Sequence, residues 1–93
     1  MRFVWDSRKS DINAQKRAFD FAFATLVFDG PTLEREDTRY EYGERRIVAT
    51  GIVDGMYLTV VYTDRFVETE TIRRIISARE SSRGERKAYD ETY

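Results

Sequence analysis

The chain has no cysteine and no histidine. Disulfides, Cys/His zinc sites, Ser-His-Asp triads and any step needing an imidazole near neutral pH are therefore excluded. Its one proline and five scattered glycines form no Gly-rich phosphate loop, which disfavours nucleotide-dependent enzymes. Only oxygen-ligated magnesium or calcium sites would remain possible, yet the acids are interspersed with arginines and set in no EF-hand loop, so neither metal nor cofactor is expected. No apolar run approaches the ~20 residues of a membrane span. Met1 to Asp6 carry no apolar signal-peptide core, so a cytoplasmic location without membrane contact is expected. Nor is there an excess of either charge: 16 basic against 17 acidic residues leave a net −1, and no global field draws the chain to nucleic acid.

What is present suffices for a packed core. Of 93 residues, 41% are hydrophobic and 14% aromatic, unlike a disordered chain. The length fits a single domain over residues 1–93. Thirteen of the sixteen cations are Arg, whose planar fork suits phosphate or carboxylate. Exposed ion pairs, worth about 0 to 1 kcal/mol each, account for such a composition equally well.

Along the chain, Arg2 to Trp5 alternates as a first strand, and Asp6 caps a helix from Ser7 to about Arg17. Ile12 is its chief apolar residue, which places this helix on the surface. Asp20 caps a second, apolar helix from Phe21 to Val27, stopped by Asp29-Gly30-Pro31. Thr32 to Arg46 reads as a charged connection. Ile47–Val53 and Met56–Thr63 form a hairpin about Asp54-Gly55, a type I′ signal. Asp64 to Glu70 reads as a charged connector to a last strand, Thr71–Ala78. Ser82-Arg83-Gly84-Glu85 has the spacing of a capping box that opens a helix through Tyr89. The order implies an α+β domain with helices gathered on one face of a largely antiparallel sheet, leaving the other open to a ligand.

The series Phe3-Val4-Trp5-Asp6, Lys9, Asn13, Lys16, Asp20-Phe21, Val27-Phe28 and Gly30-Pro31 resembles the first half of the BrnT toxins of bacterial type II toxin-antitoxin systems. Tyr42-Gly43-Glu44-Arg45-Arg46, Gly51, Val60-Val61-Tyr62-Thr63, Arg74-Ile75-Ile76-Ser77-Ala78-Arg79, Glu85 and Tyr89 continue the likeness in order. The resemblance implies a RelE/ParE-like fold, a ribonuclease that arrests growth, and neutralisation by a BrnA-type antitoxin. Such an antitoxin carries a ribbon-helix-helix domain, which implies a 2:2 complex and contact with operator DNA only through the antitoxin. Where the family commonly reads Lys-His-Gly, this chain reads Lys16-Arg17-Ala18. Arg17 can bind phosphate but cannot serve as a base. Two readings follow: an active toxin in which the imidazole is dispensable, or a weakened binding module acting with its antitoxin as corepressor. A gyrase-directed poison of the ParE type is a third.

Metal-free RNA cleavage uses the substrate's own 2′-hydroxyl and needs a proton acceptor, cations about the phosphorane and a donor to the leaving oxygen. Arg46, Arg74 and Arg79 lie on or beside strands, as phosphate ligands or as structural partners of acids such as Glu44 or Glu85. Strict alternation would put Arg74 on the face of Ile76 and Ala78, and Arg73 on that of Ile75 and Ser77. Glu44 is the carboxylate best suited to proton transfer, positioned by Arg46, or else a partner that fixes the start of the strand. Lys16 and Arg17 sit where a helix dipole favours cations, so a catalytic or substrate-binding role is one reading of two. Tyr62 can donate to the leaving group, stack a base or fill the core; Trp5 reads as core.

Overall fold

A computed structural model describes residues 1–93. One five-stranded sheet runs β1 (Arg2–Trp5), β5 (Glu70–Glu80), β4 (Met56–Val67), β3 (Ile47–Val53), β2 (Leu33–Glu36) in spatial order. Only β1 pairs in parallel, alongside β5. The Asp6 carboxylate accepts from the backbone N–H of Arg8 and Lys9 and starts α1 (Ser7–Arg17). Asp20 accepts from Phe23 N–H and starts α2 (Phe21–Ala24), which tightens into a 3-10 turn over Thr25–Asp29. Ser82 and Glu85 close the capping box of α3 (Arg83–Thr92).

α1 is held by polar contacts rather than an apolar face. Ile12 is exposed, while Ser10 and Asn13 are buried. Phe21 N–H donates to Ser10 Oγ at 3.0 Å and Asn13 Nδ2 donates to the Phe19 carbonyl at 3.0 Å. The helix ends on Ala18 in the left-handed region at φ 66°, where Cβ clashes with the backbone and glycine is the favoured residue. Ala18→Gly should therefore raise the unfolding free energy by about 0.5 to 1 kcal/mol. Urea denaturation checks this, and an unchanged or lower midpoint would contradict the strain.

Two segments read as connections are strands. Leu33–Glu36 pairs with β3 in register Leu33 to Thr50 and Glu36 to Ile47, so charged residues form an edge strand, as suits an exposed edge. Asp64–Val67 extends β4, and Glu70 starts β5, leaving Glu68 and Thr69 as a two-residue turn with Glu68 at φ 57°. The Asp54-Gly55 turn has both residues at positive φ, as type I′ requires.

The helices do not gather on one face. α1, α2 and the 3-10 turn cover the face bearing Leu58, Val60 and Ile75, and the core of Phe21, Ala24 and Val27 lies between these layers. Trp5 packs against this core, partly buried. α3 crosses to the other face, held by side chains remote in sequence. Tyr89 Oη donates to the Pro31 carbonyl, Tyr93 Oη to that of Thr32, and the Tyr57 hydroxyl to Asp90.

Candidate nucleic-acid interface

A single irregularity sets the geometry of the open face. β4 and β5 pair Val61 with Ser77 and Tyr62 with Ile75, so Ile76 is an extra residue and the alternation of β5 inverts there. Arg74, opposite Thr63, therefore shares a face with Arg79, opposite Thr59, although strict alternation separates them. Arg73 stays with Ile75, but its face continues to Ala78 rather than Ser77. The expected pairing of Arg74 with Ile76 and Ala78 is corrected by this bulge.

The 37–46 segment folds toward the same face. Asp37 N–H donates to the Arg46 carbonyl at 2.8 Å. The buried Asp37 carboxylate accepts from Arg39 Nε and Nη2 at 3.0 Å each and from Tyr42 Oη at 3.1 Å. The Arg39 guanidinium holds this carboxyl well below the usual range. So anchored, the segment sets the Arg46 guanidinium 4.0 Å over the Tyr42 ring, where Arg46 Nε donates to Glu44 Oε2 at 3.0 Å. Glu44 and Arg74 line one open cleft of about 300 Å³ with Val4, Thr63, Arg65, Ile72 and Asp64, whose carboxylate is taken up by Arg73. Glu44 Oε1 has no protein partner, and Arg74, exposed, pairs with no acid.

Arg79 is differently placed. Its Nη1 and Nη2 donate to the two oxygens of Glu85 at 2.7 and 2.9 Å, and Glu85 Oε1 also accepts from Thr59 Oγ1 and Ser82 N–H. The fork of Arg79 is thus filled by a carboxylate that fastens the start of α3 to the sheet. The Arg79 guanidinium, followed by the Ser82 N–H and the Thr59 hydroxyl, holds the Glu85 carboxyl down at about 2, against an ordinary 4.5. Because the folded value is the lower one, this contribution to stability is complete above about pH 4.5 and is lost as pH falls toward about 2. Glu85→Gln should be less stable at pH 7 and lose less stability than the parent between those limits, measured by Trp5 fluorescence in urea. Equal acid losses would show that the pair contributes nothing.

The other sequence candidates lie elsewhere. Tyr62 is on the helix-covered face, 3% exposed, its Oη donating to Glu34 Oε1 at 2.8 Å. Burial, and then that hydrogen bond, push its hydroxyl well above the usual phenol range. The Arg73 guanidinium lies 3.9 Å from the Tyr62 ring and 4.7 Å from that of Phe28, and donates twice to Asp64 at 2.8 and 2.9 Å. Lys16 and Arg17 end α1 and line a separate depression beside Glu80. Of the seven candidates, Glu44, Arg46, Arg74 and Arg79 share the open face; Tyr62, Lys16 and Arg17 do not. Arg65 was not singled out by sequence, because the segment carrying it read as a connector. The alternation of Val61, Thr63 and Arg65 with Tyr62, Asp64 and Phe66 was the signal that β4 continues.

Fold and site together define a class: a small α+β protein that presents an arginine-rich open sheet face rather than an enclosed small-molecule pocket. Residues 5–85 match the family described as the ribonuclease toxin, BrnT, of type II toxin-antitoxin systems, and the chain belongs to that family. Membership of a toxin-antitoxin family implies an antitoxin as partner. No curated protein matches the chain. No helix is long and apolar enough to cross a membrane.

Proposed function

We propose that this protein is a metal-independent endoribonuclease toxin whose chemistry takes place on the open face, at the cleft shared by Glu44 and Arg74. The observation that carries the reading is the pairing of a carboxylate having one free oxygen with a cation having no acid partner. Glu44 takes the proton of a substrate 2′-hydroxyl, that oxygen attacks the adjacent phosphorus, and the bond to the 5′-oxygen of the next nucleotide breaks, that oxygen leaving as a hydroxyl with a proton taken from water at the open cleft and giving a 2′,3′-cyclic phosphate. Arg74 offsets the charge on the phosphorane, and Arg46 orients Glu44. Arg79 acts through Glu85 as a positioning residue. Lys16, Arg17 and Tyr62 stand outside this step, because none lines the cleft. We further propose a cytoplasmic, RelE-like toxin in a 2:2 complex with a BrnA-type ribbon-helix-helix antitoxin, which supplies the contact with operator DNA.

The test is incubation of purified protein with RNA in excess chelator. Cleavage leaving cyclic phosphate ends is expected; cleavage only after added magnesium would overturn the metal-free step. The resemblance favours a second reading, since it implies an imidazole at the position where this chain has Arg17. If the chain neither arrests growth nor cuts RNA, while Arg17→His does both, the protein is a weakened toxin serving as corepressor with its antitoxin.

A further inference from the structure

The cleft beside Glu44 has a second cation with no acid partner. Arg65, on the extended part of β4, is exposed and lines the same cavity as Arg74. The neighbouring arginines are occupied: Arg46 is tied to Glu44 and Arg73 to Asp64. Register places Arg65 opposite Ile72 and Arg74 opposite Thr63. Their side chains thus rise from one face of adjacent strands at a diagonal pair, about 7 to 8 Å apart at the backbone. Two guanidinium forks rooted at that separation can converge on a single phosphate. Beneath them the floor is apolar, made by partly buried Val4 and buried Ile72, against which a sugar or base can lie. Glu44 and the Thr63 hydroxyl stand at the same cavity, and that hydroxyl donates to the Arg45 carbonyl, which ties the 37–46 segment to β4.

We propose that this cleft is a nucleotide subsite in which Arg65 and Arg74 together clamp one phosphodiester of single-stranded RNA, with Arg65 a substrate ligand in its own right. The inference rests on the open face being the RNA site, and it assigns the substrate to a strand rather than a duplex. A cleft of about 300 Å³ has room for one nucleotide unit, and a base can reach its apolar floor only when it is unpaired and unstacked. It also accounts for the projection of β4 past the end of β3, whose pairing stops at Tyr62, since that extension is what carries Arg65 to the cavity.

The test is binding, which separates it from catalysis. A fluorescent 2′-O-methyl RNA oligonucleotide, which cannot be cleaved by attack of its own 2′-oxygen, is titrated against the full chain at several salt concentrations. Arg65→Ala should weaken binding about 10-fold and reduce the slope of log affinity against log salt by about 0.7, as loss of one phosphate contact to a single strand does. Arg74→Ala should do the same. Arg8→Ala, an exposed arginine on α1 across the molecule, should leave both unchanged. Undiminished affinity and slope in Arg65→Ala, an equal loss in Arg8→Ala, or no binding by the parent chain overturns the subsite. If instead the binding results hold and the parent chain fails to cut RNA, the subsite stands and the nuclease reading falls.

Discussion

Arg74→Ala is expected to slow RNA cleavage by about 100-fold or more, with folding unaffected. The side chain is exposed and pairs with no acid, so its removal leaves no buried group stranded. A preorganised donor aimed at developing charge is typically worth a factor of about 10² to 10³. Glu44→Gln should cost about as much, because the amide keeps the hydrogen bond from Arg46 yet cannot accept the proton. Arg73→Ala gives the contrasting result. Its guanidinium lies against two rings and bonds twice to Asp64, so the loss should appear as about 2 to 3 kcal/mol of stability. Cleavage measured beside urea denaturation separates the two adjacent arginines. If Arg74→Ala loses stability and Arg73→Ala loses only rate, the assignment of faces across the bulge is wrong.

Gly51→Val should destabilise the fold by about 3 kcal/mol, and Gly51→Ala by about 1 to 3 kcal/mol. A Cβ at this position would sit 2.9 Å from Val27 Cβ and 3.3 Å from Thr32 Cγ2. Val27 is fully buried in the 3-10 turn that packs on β3, so relief requires moving that turn's backbone away from the sheet. The expected sign runs against ordinary strand preference, since replacing a glycine within a strand normally improves it. Against a total of about 5 to 14 kcal/mol for a domain of this size, the valine variant would be marginal. Urea denaturation of the two variants decides the matter: a midpoint in Gly51→Ala equal to or above that of the parent would mean the turn does not press on β3.

Much of the local structure was legible because its causes lie within a few residues. Asp6, Asp20 and Ser82 cap the helices that follow them, and Asp54-Gly55 turns the central hairpin. Edge strand β2 was not legible. Glu34, Arg35 and Glu36 read as solvated loop, and what makes them a strand is the free edge of β3, formed from residues further along the chain. The far halves of β4 and β5 were hidden for a similar reason: their charged residues pair with one another across the hairpin, as Arg73 does with Asp64. At the site, the cations were named from type and spacing, but their partners came from elsewhere in the chain. Arg79 meets Glu85 only because α3 crosses to the open face. Tyr62, a candidate donor, meets Glu34 beneath the helices instead.

By itself the sequence determined the class of chemistry open to this protein and the family to which it belongs. With neither imidazole nor thiol, any reaction must use arginines, carboxylates and hydroxyls, and that follows from side-chain chemistry alone. The tertiary structure alone decided which arginines stand together. One extra residue at Ile76 inverts the alternation of β5, uniting Arg74 with Arg79 and sending Arg73 to the helices. A bulge belongs to a pair of strands and not to either one, because it is defined by which residues face each other across the ladder. Which face a side chain occupies therefore depends on that pairing as well as on its own neighbours in the chain.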